Sequence, residues 1–374
     1  MNPWQRRGAI ALVAFHVMVP IGLFVQHWPA DESYAIHSDA GRYQRIAVAS
    51  RDPFENSEYP PAAVVLFKGI GPKPFRDFFL RLLVVQALAQ AITVMCMFWA
   101  WGRRAGWRYL VLSAPLLPIV LTRYDLVAVA AAVAGAACVT RGRPRAGGAL
   151  LALGAFVKVW PAALLPGLAA RRQWRALVAG GVVFAVALGA WIADTGTKGV
   201  RQVLTYRGAR GWHIESVPGS LVYLFRRKTP SFRGGAWRVG APPGFWTALL
   251  LLGLVVTIAW VWWRVARSGI NLVGLADLTV VSALLAWSTL CSPQFIAWIV
   301  PWAAIAGARG HGRAERVAAA VVLLTVAAAA ATTGDARPTL LSEVLYLGRN
   351  GALVALTVVG IRTISRSRTA QFAT

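Results

Sequence analysis

The sequence predicts an all-α, polytopic membrane protein with about twelve helical segments in a single integral membrane domain, residues 1–374. Hydrophobic residues make up 57% of the chain, the mean hydropathy is +0.56 and only 14% of the residues are charged. A soluble globule with this composition would lack the polar side chains needed to cover its surface. In addition, apolar runs recur along the whole chain, and short clusters of arginine separate them.

The first apolar run, at about 8–26, follows Arg6 and Arg7. It has no small-residue cleavage site before the charged stretch that follows, so we interpret it as an uncleaved span with a cytoplasmic N-terminus. Further runs lie at about 78–100, 174–193, 245–263, 271–290, 294–308, 315–332 and 347–362. A hydrocarbon core is ~30 Å thick, so the shortest of these runs require tilt or local thinning of the bilayer.

Two other stretches are each interrupted by polar residues, and we interpret each as a hairpin of two short helices. Residues 109–140 are interrupted at Thr122-Arg123-Tyr124-Asp125, and residues 146–170 at Lys158-Val159-Trp160-Pro161. Irregular polar backbone at membrane depth is tolerated only where it lines a cavity enclosed by protein. Both hairpin tips are therefore expected to face such a cavity.

The arginine clusters predict the orientation of the chain. Under the positive-inside rule the clusters at 103–108, 141–145, 171–175, 264–267, 309–316 and 362–368 are cytoplasmic, as are both termini. Two extracytoplasmic segments follow from this, an acidic loop at 27–76 and a basic loop at 194–244. The first contains Asp31, Glu32, Asp39, Asp52, Glu55 and Glu58, six of the fourteen acidic residues. We expect the protein in the plasma (inner) membrane.

The net charge of +25 does not indicate nucleic-acid binding, because the basic residues form short clusters between apolar runs and no continuous basic face. The three cysteines, Cys96, Cys138 and Cys291, all lie in apolar segments. Their number and spacing predict neither a disulfide framework nor a metal site. We expect no metal and no cofactor.

Six short motifs follow one another between residues 38 and 298: Ser38-Asp39-Ala40-Gly41-Arg42-Tyr43, Tyr59-Pro60-Pro61, Asp125, Lys158-Val159-Trp160-Pro161, Arg210-Gly211-Trp212-His213-Ile214-Glu215-Ser216 and Ser292-Pro293-Gln294-Phe295. In these motifs the sequence resembles the membrane glycosyltransferases of the C superfamily, in particular the polyprenyl-phosphate-mannose-dependent mannosyltransferases of actinobacteria. The resemblance implies a C-type fold and the transfer of a hexose, usually mannose, from a polyprenyl phosphate to a lipid or glycan acceptor outside the cytoplasm. Membrane lipids, the donor and the acceptor are then the partners, in the synthesis of cell-envelope glycolipids.

Under this resemblance Asp39 is the candidate general base, which takes the proton of the acceptor hydroxyl. Direct displacement with one base would invert the anomeric centre. Positive side chains stabilise the negative charge of the departing phosphate. The candidates for binding that phosphate are Lys158, Arg207, Arg210 and His213. The candidates for other substrate contacts are Arg42, Tyr59, Asp125, Trp160, Trp212, Glu215 and Gln294.

Several of these residues also have a purely structural interpretation. Asp39 is alternatively a loop carboxylate or the N-cap of a helix that begins at Ala40. Asp125 alternatively pairs with Arg123 or caps the returning helix, Lys158 snorkels to the interface, and His213 is a surface histidine. For the whole protein, a transporter or lipid flippase is the main alternative, since discontinuous helices with charged tips also build transport sites. A scaffold in an envelope-synthesis complex is another.

Overall fold

The structure, a computed structural model, describes residues 3–26, 38–49, 57–71, 74–205, 211–226, 229–233, 236–240, 244–268, 272–332 and 339–367, without the side chains of residues 3–6, 24 and 226. In these ranges the predicted all-α, polytopic fold is confirmed. Four stretches of the described chain are long and apolar enough to cross a membrane: Phe75–Val120, Trp174–Thr205, Gly244–Ser268 and Leu340–Arg366.

The amino-terminal part consists of four helices: α1 (Pro3–Gln26), α2 (Asp39–Val48), α3 (Pro61–Ile70) and α4 (Phe75–Ser113). Helices α2 and α3 both lie within the predicted acidic loop. Helix α4 is interrupted at Gly102, whose φ of 79° is readily adopted only by glycine. The break separates the predicted span at 78–100 from the first arm of the predicted hairpin.

Both predicted hairpins are present. In the first, the end of α4 continues through a 3-10 turn (Ala114–Leu116) and α5 (Leu117–Val120) to a tip at 121–124, and α6 (Asp125–Thr140) returns. In the second, α7 (Pro144–Val157) leads to a tip at 158–159, followed by a 3-10 turn (Trp160–Leu164) and α8 (Leu165–Ala170).

A third hairpin lies where the sequence predicted two separate spans, at 271–290 and 294–308. Helix α12 (Leu275–Trp287) ends before a tip at 288–292, and the chain returns through a 3-10 turn (Pro293–Trp298) and α13 (Val300–Ala308). Neither arm reaches the ~20 residues of an ordinary span. Pro293 and Pro301, each early in its segment, are compatible with this broken geometry.

The remaining helices are α9 (Trp174–Thr205), α10 (Val217–Arg226), α11 (Gly244–Ser268), α14 (Gly312–Ala330) and α15 (Leu340–Arg366). Helix α9 is interrupted at Gly196. The part of α9 that follows this break lies inside the predicted basic loop. That loop also contains three short strands, β1 (Trp212–His213), β2 (Ser231–Arg233) and β3 (Ala236–Val239). They form one antiparallel sheet in the order β1-β3-β2, which we call the outer sheet.

The hairpin arms pack closely through glycine. A Cβ atom on Gly135 or Gly147 would press against the backbone of the facing helix, and one on Gly148 would collide with the carbonyl group of Ala176. Small residues of this kind let the backbones of membrane helices approach one another. The contacts hold α6, α7 and α9 side by side and fix the depth of the second tip.

Polar contacts collect at two poles of the described structure. At one pole the arginine clusters contact neighbouring segments, in the pairs Arg108 with Glu315, Arg171 with Asp277, Arg264 with the Ser365 carbonyl, Arg309 with the Val273 carbonyl and Arg141 with the Trp99 carbonyl. The other pole contains the three tips, α2 and the outer sheet. Under the positive-inside rule we expect the first pole to be cytoplasmic.

Cysteine labelling tests this orientation, in a chain whose three native cysteines have been replaced by serine. Ala49→Cys and Arg233→Cys, both exposed at the tip pole, should react with an impermeant maleimide in intact cells. Ala146→Cys, exposed at the arginine pole, should react only after lysis. The reverse pattern would overturn the assignment of the poles. Ser57 is unsuitable as a reporter because it is buried.

Candidate functional site

A cavity open to solvent lies at the tip pole, where the three tips meet α2, Tyr59 and β3. The residues that line it are Asp39, Arg42, Tyr43, Tyr59, Tyr124, Lys158, Ala236, Arg238, Leu290, Ser292, Gln294 and Phe295. Five of the residues proposed from the sequence are among them, namely Asp39, Arg42, Tyr59, Lys158 and Gln294. As expected, both predicted tips contribute to one cavity.

Asp39 is the first residue of α2 and does not cap it. The cap is Ser38, whose Oγ accepts a hydrogen bond from the backbone N–H of Gly41 at 3.1 Å. The Asp39 carboxylate instead lies 3.0 Å from Nε of Arg123 and 3.9 Å from Nη1 of Arg42. The alternative interpretation of Asp39 as an N-cap is therefore wrong. The alternative pairing of Asp125 with Arg123 is also wrong, because Arg123 pairs with Asp39.

Four aromatic rings fasten α2 to the first tip. The rings of Tyr43 and Phe67 are stacked with centroids 4.6 Å apart. Tyr59 and Tyr124 each contact both of these rings edge to face, at 5.3 to 5.6 Å. Such pairs each contribute about 0.5–1.5 kcal/mol beyond the burial of their area. The cluster joins α2, α3, the turn at Tyr59 and the first tip, so that Asp39 is held above that tip.

Lys158 forms a buried ion pair with Asp125. Helix α7 ends at Val157, and the extended backbone of Lys158 brings its Nζ to 2.6 Å from Oδ1 of Asp125. The same carboxylate oxygen accepts a hydrogen bond from Nε1 of Trp298 at 2.8 Å. Asp125 is fully buried, whereas Lys158 lines the cavity. Lys158 therefore connects a charge inside the protein to the cavity surface.

Aromatic faces surround the Lys158 ammonium group. Its Nζ lies 4.4 Å from the ring centroid of Phe295, 4.6 Å from that of Tyr124 and 5.2 Å from that of Trp298. Trp160 stacks on Trp298 at 5.4 Å and is buried, outside the lining of the cavity. The ring cage stabilises a positive charge at this point through cation–π attraction.

His213 is buried and connects the outer sheet to the third tip, so the alternative of a surface histidine is wrong. Its backbone N–H donates to the carbonyl of Thr289 at 3.0 Å, and its Nδ1 lies 3.0 Å from the carbonyl oxygen of Cys291. The ring is outside the cavity lining. From this position it holds Leu290 and Ser292, which do line the cavity.

Glu215 and Trp212, also proposed from the sequence, lie outside the lining. The Glu215 carbonyl accepts hydrogen bonds from Arg349, and from Nδ2 of Asn350 at 3.2 Å, so that α15 holds this segment. Burial raises the pKa of the Glu215 carboxyl to about 7, against the opposing effect of the Arg349 charge. Asp125 and Trp160 likewise lie behind the cavity wall.

Arg238 is a cavity residue that the sequence reasoning missed. It is only 3% exposed, and its Nη1 and Nε donate to the carbonyl oxygens of Gly211 at 2.7 Å and Arg233 at 3.1 Å. These bonds fix the guanidinium group of this residue of the central strand against the backbone around the outer sheet. Nothing in the sequence separates Arg238 from the other arginines of the basic loop. Two of those, Arg207 and Arg210, lie outside the described residues and stay predictions.

Comparison with known proteins gives one family. A model of glycosyltransferase family 87 matches residues 58–293, more than half of the chain. The matched segment contains Tyr59, all three tips and the outer sheet, whereas Asp39 and Arg42 precede it. No curated protein and no solved structure matches the chain.

The buried ion pair predicts a stability effect. Asp125→Ala leaves the Lys158 ammonium without its carboxylate and should lower the free energy of unfolding by about 3–5 kcal/mol. Asp77→Ala is the matched control, because Asp77 and its partner Arg76 are half exposed and such pairs contribute about 0–1 kcal/mol. Denaturant titration of the purified protein in mixed micelles measures both. Equal, small losses in the two variants would contradict the structural importance of the pair.

Proposed function

The chain belongs to glycosyltransferase family 87, and on that premise we propose that it transfers a hexose, mannose in the first instance, from a polyprenyl-phosphate donor to a lipid or glycan acceptor. The reaction takes place on the extracytoplasmic side of the plasma membrane. The observation that carries the proposal is the charge arrangement of the cavity, where one carboxylate, Asp39, faces the same space as three cationic side chains, Arg42, Lys158 and Arg238.

Asp39 is the general base. The acceptor hydroxyl gives its proton to the Asp39 carboxylate, its oxygen forms the new bond to the anomeric carbon, and the bond from that carbon to the phosphate oxygen breaks. Arg123 and the Ser38 cap hold the carboxylate at the cavity edge without enclosing it, since about a quarter of the side chain, 23%, stays exposed. One displacement at the anomeric carbon inverts its configuration.

The cations stabilise the leaving group. The polyprenyl phosphate departs with the electron pair of the broken bond, and its oxygen gains charge as the bond lengthens. Positive groups fixed in advance near that oxygen lower the barrier, because their attraction is stronger in the transition state than in the ground state. Lys158 and Arg238 are suited to this task, since the ring cage fixes one and two carbonyl bonds fix the other. Arg207 and Arg210 remain candidates for the same phosphate, whereas His213 acts through the third tip.

Neutral polar groups in the lining are suited to sugar hydroxyls. Tyr59, Ser292 and Gln294 supply hydroxyl and amide groups that both donate and accept hydrogen bonds. The rings of Tyr124 and Phe295 add apolar surface to the lining. The lining therefore combines the groups needed for a charged, lipid-linked hexose.

An assay with purified protein tests the proposal. Radiolabelled polyprenyl-phosphate mannose and a membrane lipid extract should give a labelled lipid or glycan product. A parallel arm with the protein in liposomes follows movement of the labelled donor across the bilayer. Movement without product would favour the transporter or flippase alternative, and activity with a nucleotide sugar alone would overturn the choice of donor.

The base role predicts the effect of Asp39→Asn. The amide keeps the size of the side chain but cannot take up the acceptor proton, so turnover should fall by about 10²- to 10⁴-fold while donor binding persists. Initial rates and binding of the labelled donor measure the two effects separately. Asp77→Asn, at a half-exposed position outside the cavity lining, is the control that should retain full turnover. Near wild-type turnover in Asp39→Asn would remove Asp39 from the base role.

A double variant separates the two tasks of Lys158. Lys158→Gln alone removes a cation from the cavity and also leaves the buried Asp125 carboxylate without its ion-pair partner. Lys158→Gln combined with Asp125→Asn removes both charges, so the fold no longer contains an uncompensated buried ion.

If Lys158 binds the donor phosphate, the double variant should recover thermal stability relative to Lys158→Gln but still show a raised KM and a lowered kcat. Unfolding in micelles and steady-state kinetics measure the two properties. Recovery of wild-type kinetics in the double variant would limit Lys158 to a structural role.

A further inference from the structure

Helix α10 has the reverse of the polarity expected for a helix on a water-exposed surface. Its outward stripe consists of Leu221, Leu224 and Phe225, which are 42%, 51% and 77% exposed. Its inward side contains Gly219 and Ser220, which are small and buried, and Tyr223, which is half-buried. A helix that faces water buries its apolar stripe and exposes its polar side. The outward surroundings of α10 are therefore apolar.

The inward side of α10 is fixed against the first turns of α15. Nδ2 of Asn350 donates to Oγ of Ser220 at 2.9 Å, and Tyr223 forms a side-chain hydrogen bond with Glu343. The two contacts on α15 are separated by seven residues, or roughly 10 Å along a helix. Helix α10 thus lies beside the tip-pole end of a membrane span.

The length of α15 gives the depth of this contact. Its 27 residues correspond to roughly 40 Å of helix, against a hydrocarbon core of ~30 Å. The excess extends into the headgroup regions. Measured along α15 from Arg362 and Arg366 at its opposite end, Glu343 is roughly 30 Å away and Asn350 roughly 20 Å away. The contact with α10 therefore extends from the headgroup boundary into the acyl chains of the other leaflet.

We propose that α10 is an interfacial helix that lies in the surface of the extracytoplasmic leaflet and inserts Leu221, Leu224 and Phe225 among the lipids. Helices of this kind combine an apolar stripe with basic residues that contact anionic headgroups. The sequence directly after the stripe, Arg226-Arg227-Lys228, provides the basic residues.

The span against which α10 packs also exposes apolar side chains at its tip-pole end. At the start of α15, Leu340 and Leu341 are 79% and 62% exposed. Both residues belong to a candidate membrane span. The apolar stripe of α10 extends a surface that already faces lipid, which favours the bilayer as its occupant over a second copy of the chain.

If the protein has the proposed function, the location of α10 also affects how the lipid-linked donor reaches the cavity. Helix α10 packs against β1 and β3, and β3 carries Arg238 to the cavity. An interfacial α10 would therefore hold the Arg238 guanidinium near the depth at which a membrane-embedded polyprenyl phosphate presents its phosphate.

Site-directed spin labelling tests the location of α10 without reference to catalysis. Phe225→Cys and Leu224→Cys, each in the chain without native cysteines, carry a nitroxide in nanodiscs of phosphatidylcholine and phosphatidylglycerol. Arg233→Cys is the control exposed to water, and Val182→Cys, in the middle of the apolar run at 174–193 and 57% exposed, is the control exposed to lipid. Power saturation compares the accessibility of each label to oxygen and to a water-soluble nickel complex.

Nitroxides at 224 and 225 should be more accessible to oxygen than to the nickel complex, as is expected at Val182. The ratio of the two accessibilities should indicate a shallower depth than at Val182. Nickel accessibility equal to that at Arg233 would overturn the proposal, because the stripe would then face water. Protection from both reagents would also overturn it, because protein would then cover the stripe. Since neither readout depends on turnover, the result stands apart from the outcome of the transfer assay.

Turnover of two variants adds the functional readout. Phe225→Asp should raise the KM for a long-chain polyprenyl donor in nanodiscs and leave that for a short-chain, detergent-soluble donor little changed. Phe225→Trp, which keeps a side chain suited to the interface, should behave like the wild type. An equal effect of the aspartate on both donors would contradict a role in presenting the lipid-linked donor.

Discussion

One buried carboxylate, that of Asp125, joins all three helical hairpins. It begins the returning helix of the first hairpin, pairs with Lys158 at the tip of the second and accepts a hydrogen bond from Trp298 of the third. Inside a membrane protein, such a charge is tolerated only when it is paired and hydrogen-bonded. Each broken helix needs the other two in place to satisfy this requirement, so the tips converge on one point and leave the cavity beside it.

Two different kinds of contact attach α2 and the outer sheet to the three tips. Aromatic rings fasten α2 and the Tyr59 turn to the first tip. The outer sheet is fastened to the third tip by hydrogen bonds from the backbone N–H and the ring Nδ1 of His213 to two carbonyl oxygens of that tip. The first set fixes the position of Asp39 and the second that of Arg238. A carboxylate and a guanidinium group can thus line one cavity although neither lies on a membrane-spanning helix.

The sequence predicted the membrane fold and the first two hairpins, because an arginine, an aspartate or a lysine within an apolar stretch has few permitted positions. The third hairpin was missed because its tip, residues 288–292, carries no charge and each arm resembles a separate span. Lys158 was predicted at the cavity, but its pairing with Asp125 was not, since two tips at membrane depth do not determine which side chains meet. Arg238 was missed because strand register within a basic loop depends on tertiary contacts, here with Gly211 and the third tip.

The contacts of His213 and Arg349 have a consequence for biogenesis. Asp39 leaves the ribosome before the wall opposite it is held, because that wall is held by Cys291 through His213, and the segment containing His213 is held by Arg349 through the Glu215 carbonyl. Arg349 follows Asp39 by 310 residues in the sequence. A nascent chain therefore contains Asp39 long before the opposing wall is fixed, and the completed cavity appears only after α15 has entered the bilayer.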